Sequence, residues 1–149
     1  MSDESEQLVT LRQRRDYAFD IEFGDGKPLL LADEPPPLGQ AAGPSPGQLL
    51  LAAVGNCMSS SLLFALRKFK NDPGGITTSA RARIGRNEAG RLRVLHIEVQ
   101  IRLGRPADQL QHLDRILDQF EDFCTVGQSV RGGIPTEVAV FDSTGQRLH

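Results

Sequence analysis

The chain has 149 residues, of which 39% are hydrophobic and 24% are charged, and this composition is typical of one globular domain. Its formal net charge of −2 gives no general attraction to nucleic acid or to anionic membranes. The N-terminal stretch MSDESEQLVT lacks the basic and apolar regions of a signal peptide. The longest mainly apolar run, 49–54, is far shorter than the roughly 20 residues of a membrane span. We therefore expect a cytoplasmic protein without a membrane segment.

The first third of the chain predicts strands. Residues 1–6 are expected to form a frayed tail of a single domain that covers 1–149. The segment YAFDIEF, 17–23, alternates apolar with mainly polar residues and predicts a half-buried strand. The GDG triplet that follows predicts a hairpin turn, and KPLLLAD predicts the returning strand. The loop DEPPPLGQAAGPSP is interpreted as a rigid connector with an extended polyproline path.

A long helix is predicted within GPSPGQLLLAAVGNCMSSSLLFALRKFK, 43–70. Ser45 fits the N-cap, and Pro46 fits the first helical position, where its missing N–H costs nothing. Apolar residues occur on all sides of this helix, so we expect it to be central and enclosed by protein. The sequence NDPGG, 71–75, ends it.

The remaining elements complete an α+β pattern. Residues 76–84 and 95–103 alternate strictly and predict an antiparallel hairpin with one solvated face. Arginines on that face are interpreted as solvated and not as a nucleic-acid site, because no aromatic residues interleave them. The segment TEVAVFD predicts a final short strand. The order of elements predicts antiparallel sheets around the central helix.

A second, amphipathic helix is predicted over RPADQLQHLDRILDQFEDFC. Apolar residues there follow one another at spacings of 3, 4, 3 and 4, in the order Leu110, Leu113, Leu117, Phe120 and Cys124. Ile116 and Phe123 broaden this stripe. If the helix continues to its last residue, Cys124 points into the core.

The motifs of metal and cofactor sites are missing from the sequence. The three histidines are scattered, no cysteine lies two to four residues from another, and neither GxGxxG nor a P-loop occurs. We therefore expect no metal and no cofactor. Two cysteines are too few for a disulfide scaffold, so Cys57 and Cys124 are either inert core thiols or a redox pair.

The surroundings of Cys57 are unusually polar for a buried helix. Gly55 precedes it by two positions and allows a close approach by another backbone or a ligand, and Asn56 and three serines, 59–61, offer polar groups. The serines could equally bond to carbonyls one turn earlier. Composition alone leaves both interpretations of the thiols open.

The segments GPSPGQLLLAAVGNCMSSSLL and FCTVGQSV resemble the OsmC/Ohr family of thiol peroxidases. The family's Pro-x-x-Leu-x-x-Ala-x-x-x-x-Cys helix is matched by Pro46, Leu49, Ala52 or Ala53, and Cys57. The resemblance implies an intertwined homodimer whose sheets wrap two central helices. It also implies that Cys57 attacks an organic hydroperoxide and becomes a sulfenic acid. Cys124 then forms a disulfide with it, which an external dithiol reduces.

The sequence departs from the family's pattern near the start of the long helix. Family members carry a Glu just after the helix-opening proline, where this chain has Gly47 and Gln48. Gln48 and Asn56 are therefore the candidate polar supports of Cys57, and the family's activating arginine is matched only by region, at Arg14 or Arg15. Two alternatives stay open: a small-molecule binding protein of the same fold, or a redox-sensing stress protein without turnover.

Overall fold

The computed structural model describes residues 3–149. Of the expected frayed tail, residues 3–6 are exposed and belong to no helix or strand, while residues 1 and 2 lie outside the described residues. The chain divides into two compact units between Leu49 and Leu50. One domain over 1–149 therefore stays a prediction.

The first unit contains a three-stranded antiparallel sheet in the order β1–β2–β3. Its strands are β1 Thr10–Arg15, β2 Ala18–Glu22 and β3 Leu30–Ala32. The strand, turn and returning strand predicted from residue 17 onward are thus present. Tyr17 and Phe23 are exposed, whereas Ala18 and Ile21 are buried, so the predicted buried face is wrong at both ends. Both exposed aromatics lie just outside β2, which is shorter than the alternation suggests.

The proline-rich loop after β3 is compactly folded rather than extended. Its centre is the buried carboxylate of Asp33, which accepts hydrogen bonds from the backbone N–H groups of Gln40 and Ala42 at 3.0 and 3.1 Å. These two donors hold the pKa of Asp33 below its ordinary value. The predicted polyproline path is wrong because the backbone bonds within the loop, as between Gly39 N–H and the Pro35 carbonyl.

The long helix α1 runs from Pro46 to Lys68, with the predicted start and nearly the predicted end. The part of α1 in the second unit buries one face, made by Val54, Gly55, Met58, Ser61, Leu62, Ala65 and Leu66. Its opposite face is exposed at Ala52, Asn56, Ser60 and Phe64. Within the second unit, as the structure describes it, α1 is therefore covered on one face and not on all sides.

By length and composition alone, α1 could cross a membrane, since it has 23 residues and very few charges. The apolar run 49–54 underestimates the length of this weakly charged, apolar helix. Glycine, asparagine and serine interrupt an apolar run without adding charge. A buried core helix has the same properties, and 39% of the most apolar stretch of α1 is buried inside the chain.

The second unit contains a sheet in the order β4–β5–β6. Its strands are β4 Ile76–Arg86, β5 Leu92–Leu103 and β6 Thr136–Phe141. The β4–β5 hairpin is antiparallel, as predicted, but β6 runs parallel to β5. The expectation of purely antiparallel pairing is corrected here, because the chain crosses back through helices before β6. The α+β class is confirmed.

The predicted second helix is not continuous. The chain forms a 3₁₀ turn at Ala107–Gln109, helix α2 at Leu113–Gln119, a second 3₁₀ turn at Phe120–Phe123 and helix α3 at Thr125–Arg131. His112 has a left-handed backbone with φ of 59°, and Cys124 is extended with φ of −84° and ψ of 95°. These two residues separate the pieces. The stripe still packs into the core at Leu110, Leu117, Phe120 and Cys124, whereas Phe123 is exposed.

Candidate active site

The two thiols meet inside the second unit. Cys57 lies half-buried in the middle of α1, and Cys124 is the N-cap residue of α3 with an exposed fraction of 1%. Both are free cysteines; Cys57 packs against the core cluster that contains Cys124, and its thiol raises the pKa of Cys124. Residues that are 67 positions apart in the sequence, 124 − 57, therefore form one pair.

Backbone N–H groups at the start of α3 point at both sulfurs. The Val126 N–H donates to Cys57 Sγ over 3.4 Å, and the Gly127 N–H donates to Cys124 Sγ over 3.2 Å. Hydrogen bonds from N–H donors stabilise the thiolate form of a cysteine, which is the nucleophilic form. One short segment therefore supplies a donor to each member of the pair.

The Cys124 thiol is held in its protonated form. Burial, followed by the neighbouring Cys57 thiol, raises the pKa of Cys124 to about 11, against the lowering effects of the Gly127 N–H and the Ser61 hydroxyl. Cys124 therefore remains a thiol at neutral pH. A negative charge within this pair is disfavoured at position 124.

Gly127 is required by the packing around the thiols. A Cβ at this position would lie 2.7 Å from Cys124 Sγ and 2.9 Å from the terminal methyl group of Met58. Gly55, where the sequence predicts a close approach, has room for a Cβ, with its nearest neighbours on Ala80 and Thr78 at 3.6 Å. The only sequence signal for Gly127 is its place three residues after Cys124.

The three serines after Cys57 have different partners. Ser59 donates to the Gly55 carbonyl over 2.7 Å and lies 2.5 Å from the hydroxyl of Thr78 on β4. Ser61 is buried, and its hydroxyl lowers the pKa of the Cys124 thiol. The interpretation as bonds to carbonyls one turn earlier holds for Ser59, whereas Ser61 contributes to the site.

The two candidate polar supports make other bonds. Gln48 and Ser45 form a capping box, in which the Ser45 N–H donates to Gln48 Oε1 over 3.0 Å and the Gln48 N–H to Ser45 Oγ over 3.3 Å. Asn56 is exposed and accepts a 3.4 Å hydrogen bond from Ser60. In the first unit, Arg14 pairs with Asp20 over 2.6 Å. Support of Cys57 by Gln48 or Asn56 stays a prediction.

The family model described as OsmC-like protein matches residues 39–139, so the chain belongs to the OsmC-like family. The matched range contains both cysteines and the whole of α1. No curated protein matches the chain.

Solved structures share the fold. An OsmC-like protein of unknown function from Vibrio cholerae superposes with a TM-score of 0.78 at 21% identity, covering 93% of this chain and 100% of its own. An organic hydroperoxide resistance protein from Elizabethkingia anophelis gives 0.74 at 18% identity, covering 94% and 98%. An organic hydroperoxide resistance protein from Bacillus subtilis gives 0.68 at 16% identity, covering 91% and 98%.

Proposed function

We propose that this protein is a cysteine-based thiol peroxidase that reduces organic hydroperoxides through Cys57 and Cys124. The observation that carries the proposal is the contact of the two thiols beneath backbone donors from Val126 and Gly127. Membership of the OsmC-like family supports it, as do similar folds in proteins named for organic hydroperoxide resistance.

The proposed chemistry has three steps. The Cys57 thiolate attacks one peroxide oxygen, the O–O bond breaks, and the alcohol leaves with a proton while Cys57 becomes a sulfenic acid. The Cys124 sulfur then attacks the Cys57 sulfur, which forms the disulfide and releases water. An external dithiol reduces the disulfide and is itself oxidised to a disulfide. Two electrons per cycle thus pass from the dithiol to the peroxide.

An aromatic pair beside the thiols favours substrates with alkyl or aryl groups. Phe64 and Phe123 are 60% and 56% exposed, and their ring centroids are 6.4 Å apart. Phe64 lies seven residues, or two helical turns, after Cys57 on the same side of α1. Phe123 directly precedes Cys124. Such a surface gives an apolar substituent a place to pack that hydrogen peroxide cannot use.

The proposed working form is a homodimer in a reducing compartment such as the cytoplasm, where a dithiol keeps the cycle running. The first unit exposes several large apolar side chains, namely Leu8, Leu11, Tyr17 and Leu29. Exposed apolar patches mark surfaces that a partner covers, and a second copy is the partner in this proposal.

Intact-protein mass spectrometry tests the proposal directly. The reduced protein is treated with one equivalent of cumene hydroperoxide, and we expect a loss of two hydrogens that Cys57→Ser and Cys124→Ser each abolish. Repeated consumption of the peroxide with a dithiol then distinguishes an enzyme from a redox sensor, which oxidises once. Unchanged mass after peroxide contradicts the proposal and supports a binding protein whose thiols are bystanders.

A further inference from the structure

Three metal-ligating side chains converge on the outer face of the β4–β5–β6 sheet. His96 and Glu98 are two residues apart on β5 and therefore point to the same face. Glu137 on β6 lies directly opposite Glu98 in the parallel register. One donor atom from each of the three lies within 4.8 Å of the others, and His96 Nε2 is 3.7 Å from Glu137 Oε2.

The charges at this position need compensation. Two carboxylates placed opposite each other on neighbouring strands repel and destabilise the pairing. Arg81 and Arg83 of β4 lie opposite Glu98 and His96 in the antiparallel register. The ion pairs formed by residues 3–149 nevertheless include neither arginine. Arg81 and Arg83 therefore form no ion pair with Glu98 or Glu137.

We propose that His96, Glu98 and Glu137 bind a divalent transition-metal ion, with zinc as the best match. One imidazole nitrogen and two carboxylate oxygens form a donor set that zinc accepts, with bonds of about 2.0–2.2 Å. A tetrahedral ion with such bonds holds its donors roughly 3.4 Å apart, so the 3.7 Å between His96 and Glu137 needs only a small adjustment. The fourth position faces water.

The composition of the donor set selects against magnesium. Imidazole suits zinc and other late transition metals, whereas magnesium prefers oxygen ligands in octahedral geometry. The His96 side chain is only 18% exposed, so its ring is held in place by its surroundings. A cavity of about 580 Å³ opens beside the two glutamates and gives an ion access from solvent.

The bound ion joins two strands that the chain connects only through a long crossover. β6 is the last strand in the order β4–β5–β6, and the ion adds a link from Glu137 to His96 and Glu98. Because such an ion binds the folded state, it raises the unfolding temperature, and the rise grows with the ratio of the free ion concentration to its Kd. The site is separate from the thiols in sequence, and its chemistry needs no peroxide.

Calorimetric titration with zinc chloride tests this site in the Cys57→Ser protein, so that the thiol pair cannot hold the metal. We expect one equivalent of zinc per chain and a higher unfolding temperature in its presence. Adding His96→Ala or Glu137→Gln weakens binding at least tenfold and removes the thermal shift. Glu88→Gln, in the exposed turn between β4 and β5, is the matched control. It should leave both the zinc affinity and the rise in unfolding temperature unchanged.

Two outcomes overturn the proposal. One is the absence of zinc binding by the Cys57→Ser protein, and the other is binding that both His96→Ala and Glu137→Gln leave unchanged. Magnesium chloride at the same concentration should neither bind nor displace zinc, and equal binding of the two ions contradicts the assignment of His96 as a ligand. Circular dichroism of each variant verifies that it is folded. Since no step uses peroxide, failure here is distinct from failure of the proposed peroxidase.

Discussion

The two regions that carry the cysteines differ in continuity although their sequences share a helical spacing of apolar residues. Helix α1 continues through Cys57 for 23 residues. The segment from 107 to 131 is interrupted at His112 and again at Cys124. Apolar spacing thus determines which side of a segment is buried but does not determine whether the helix continues.

The interruption at Cys124 creates the donors of the site. In a continuous helix, the N–H groups of Val126 and Gly127 would bond to carbonyls four residues earlier. Because α3 begins at Thr125, these groups belong to its first turn and have no helical partner. They donate to the two sulfurs instead. The unbroken helix thus supplies one thiol, and the broken segment supplies the second thiol together with both donors.

The largest expected effect separates the roles of the two cysteines. Cys57→Ser should reduce dithiol-dependent consumption of cumene hydroperoxide to the rate without protein, since the attacking sulfur is gone. Cys124→Ser should still gain one oxygen at Cys57, which dimedone traps as a sulfenic acid. Equal behaviour of the two variants would contradict the assigned roles, and gel filtration verifies that both keep the assembly of the parent protein.

The two thiols should differ by a large factor in their rates of alkylation. With its pKa of about 11, Cys124 is only roughly 0.1% thiolate at pH 8, and it is also buried. Peptide mapping after limited iodoacetamide treatment should find the label at Cys57 first. Labelling of Cys124 should rise about tenfold for each pH unit between 7 and 9, following its thiolate fraction. Rapid, pH-independent labelling of Cys124 would be inconsistent with its position in the structure.

Two phenylalanines of the broken segment should differ in their contribution to stability. Phe120 is fully buried, and Phe120→Ala should lower the free energy of unfolding by about 3–5 kcal/mol. Phe123, which the apolar stripe also included, is exposed, and Phe123→Ala should change stability by about 0.5 kcal/mol or less. Urea unfolding measures both values, and similar losses would mean that the stripe is buried as one continuous helix.

The two glycines near the thiols provide a matched pair of substitutions. Gly127→Ala should cost about 1–3 kcal/mol and slow disulfide formation, because its Cβ overlaps Cys124 Sγ and Met58. Gly55→Ala should be neutral or stabilise α1 by up to about 1 kcal/mol, since its Cβ meets ordinary contacts. Stopped-flow oxidation and urea unfolding compare them. A reversed order would show that the close approach occurs at α1 and not at α3.

The smallest effect concerns how the two helical regions begin. Ser45→Ala removes the N-cap bond of α1 and should cost about 1 kcal/mol. The N-cap of α2, His112, makes no side-chain bond to its helix, so replacing it by glycine should cost little or stabilise its left-handed backbone. Thermal unfolding measures both changes. A larger loss for His112→Gly than for Ser45→Ala would contradict this difference in capping.

Sequence patterns were reliable where one local interaction dominates. The capping residue and proline at the start of α1 predict its first residue, and strict alternation predicts the β4–β5 hairpin. Burial of Cys124 was also predicted, although from a helix that does not exist as one piece. The parallel pairing of β6 could not be predicted, because its partner strand lies more than 30 residues earlier and no local pattern encodes the direction of a crossover.

The sequence by itself determined the α+β class, the long helix with Cys57 and the family, because these depend on local spacing and on two short motifs. The tertiary structure decided what surrounds the thiols. It interrupted the second helix at Cys124, required glycine at 127 and left Gln48 in the cap of α1. It also placed Glu137 opposite Glu98. Each of these depends on atoms far apart in the chain, whose distances only the packed fold sets.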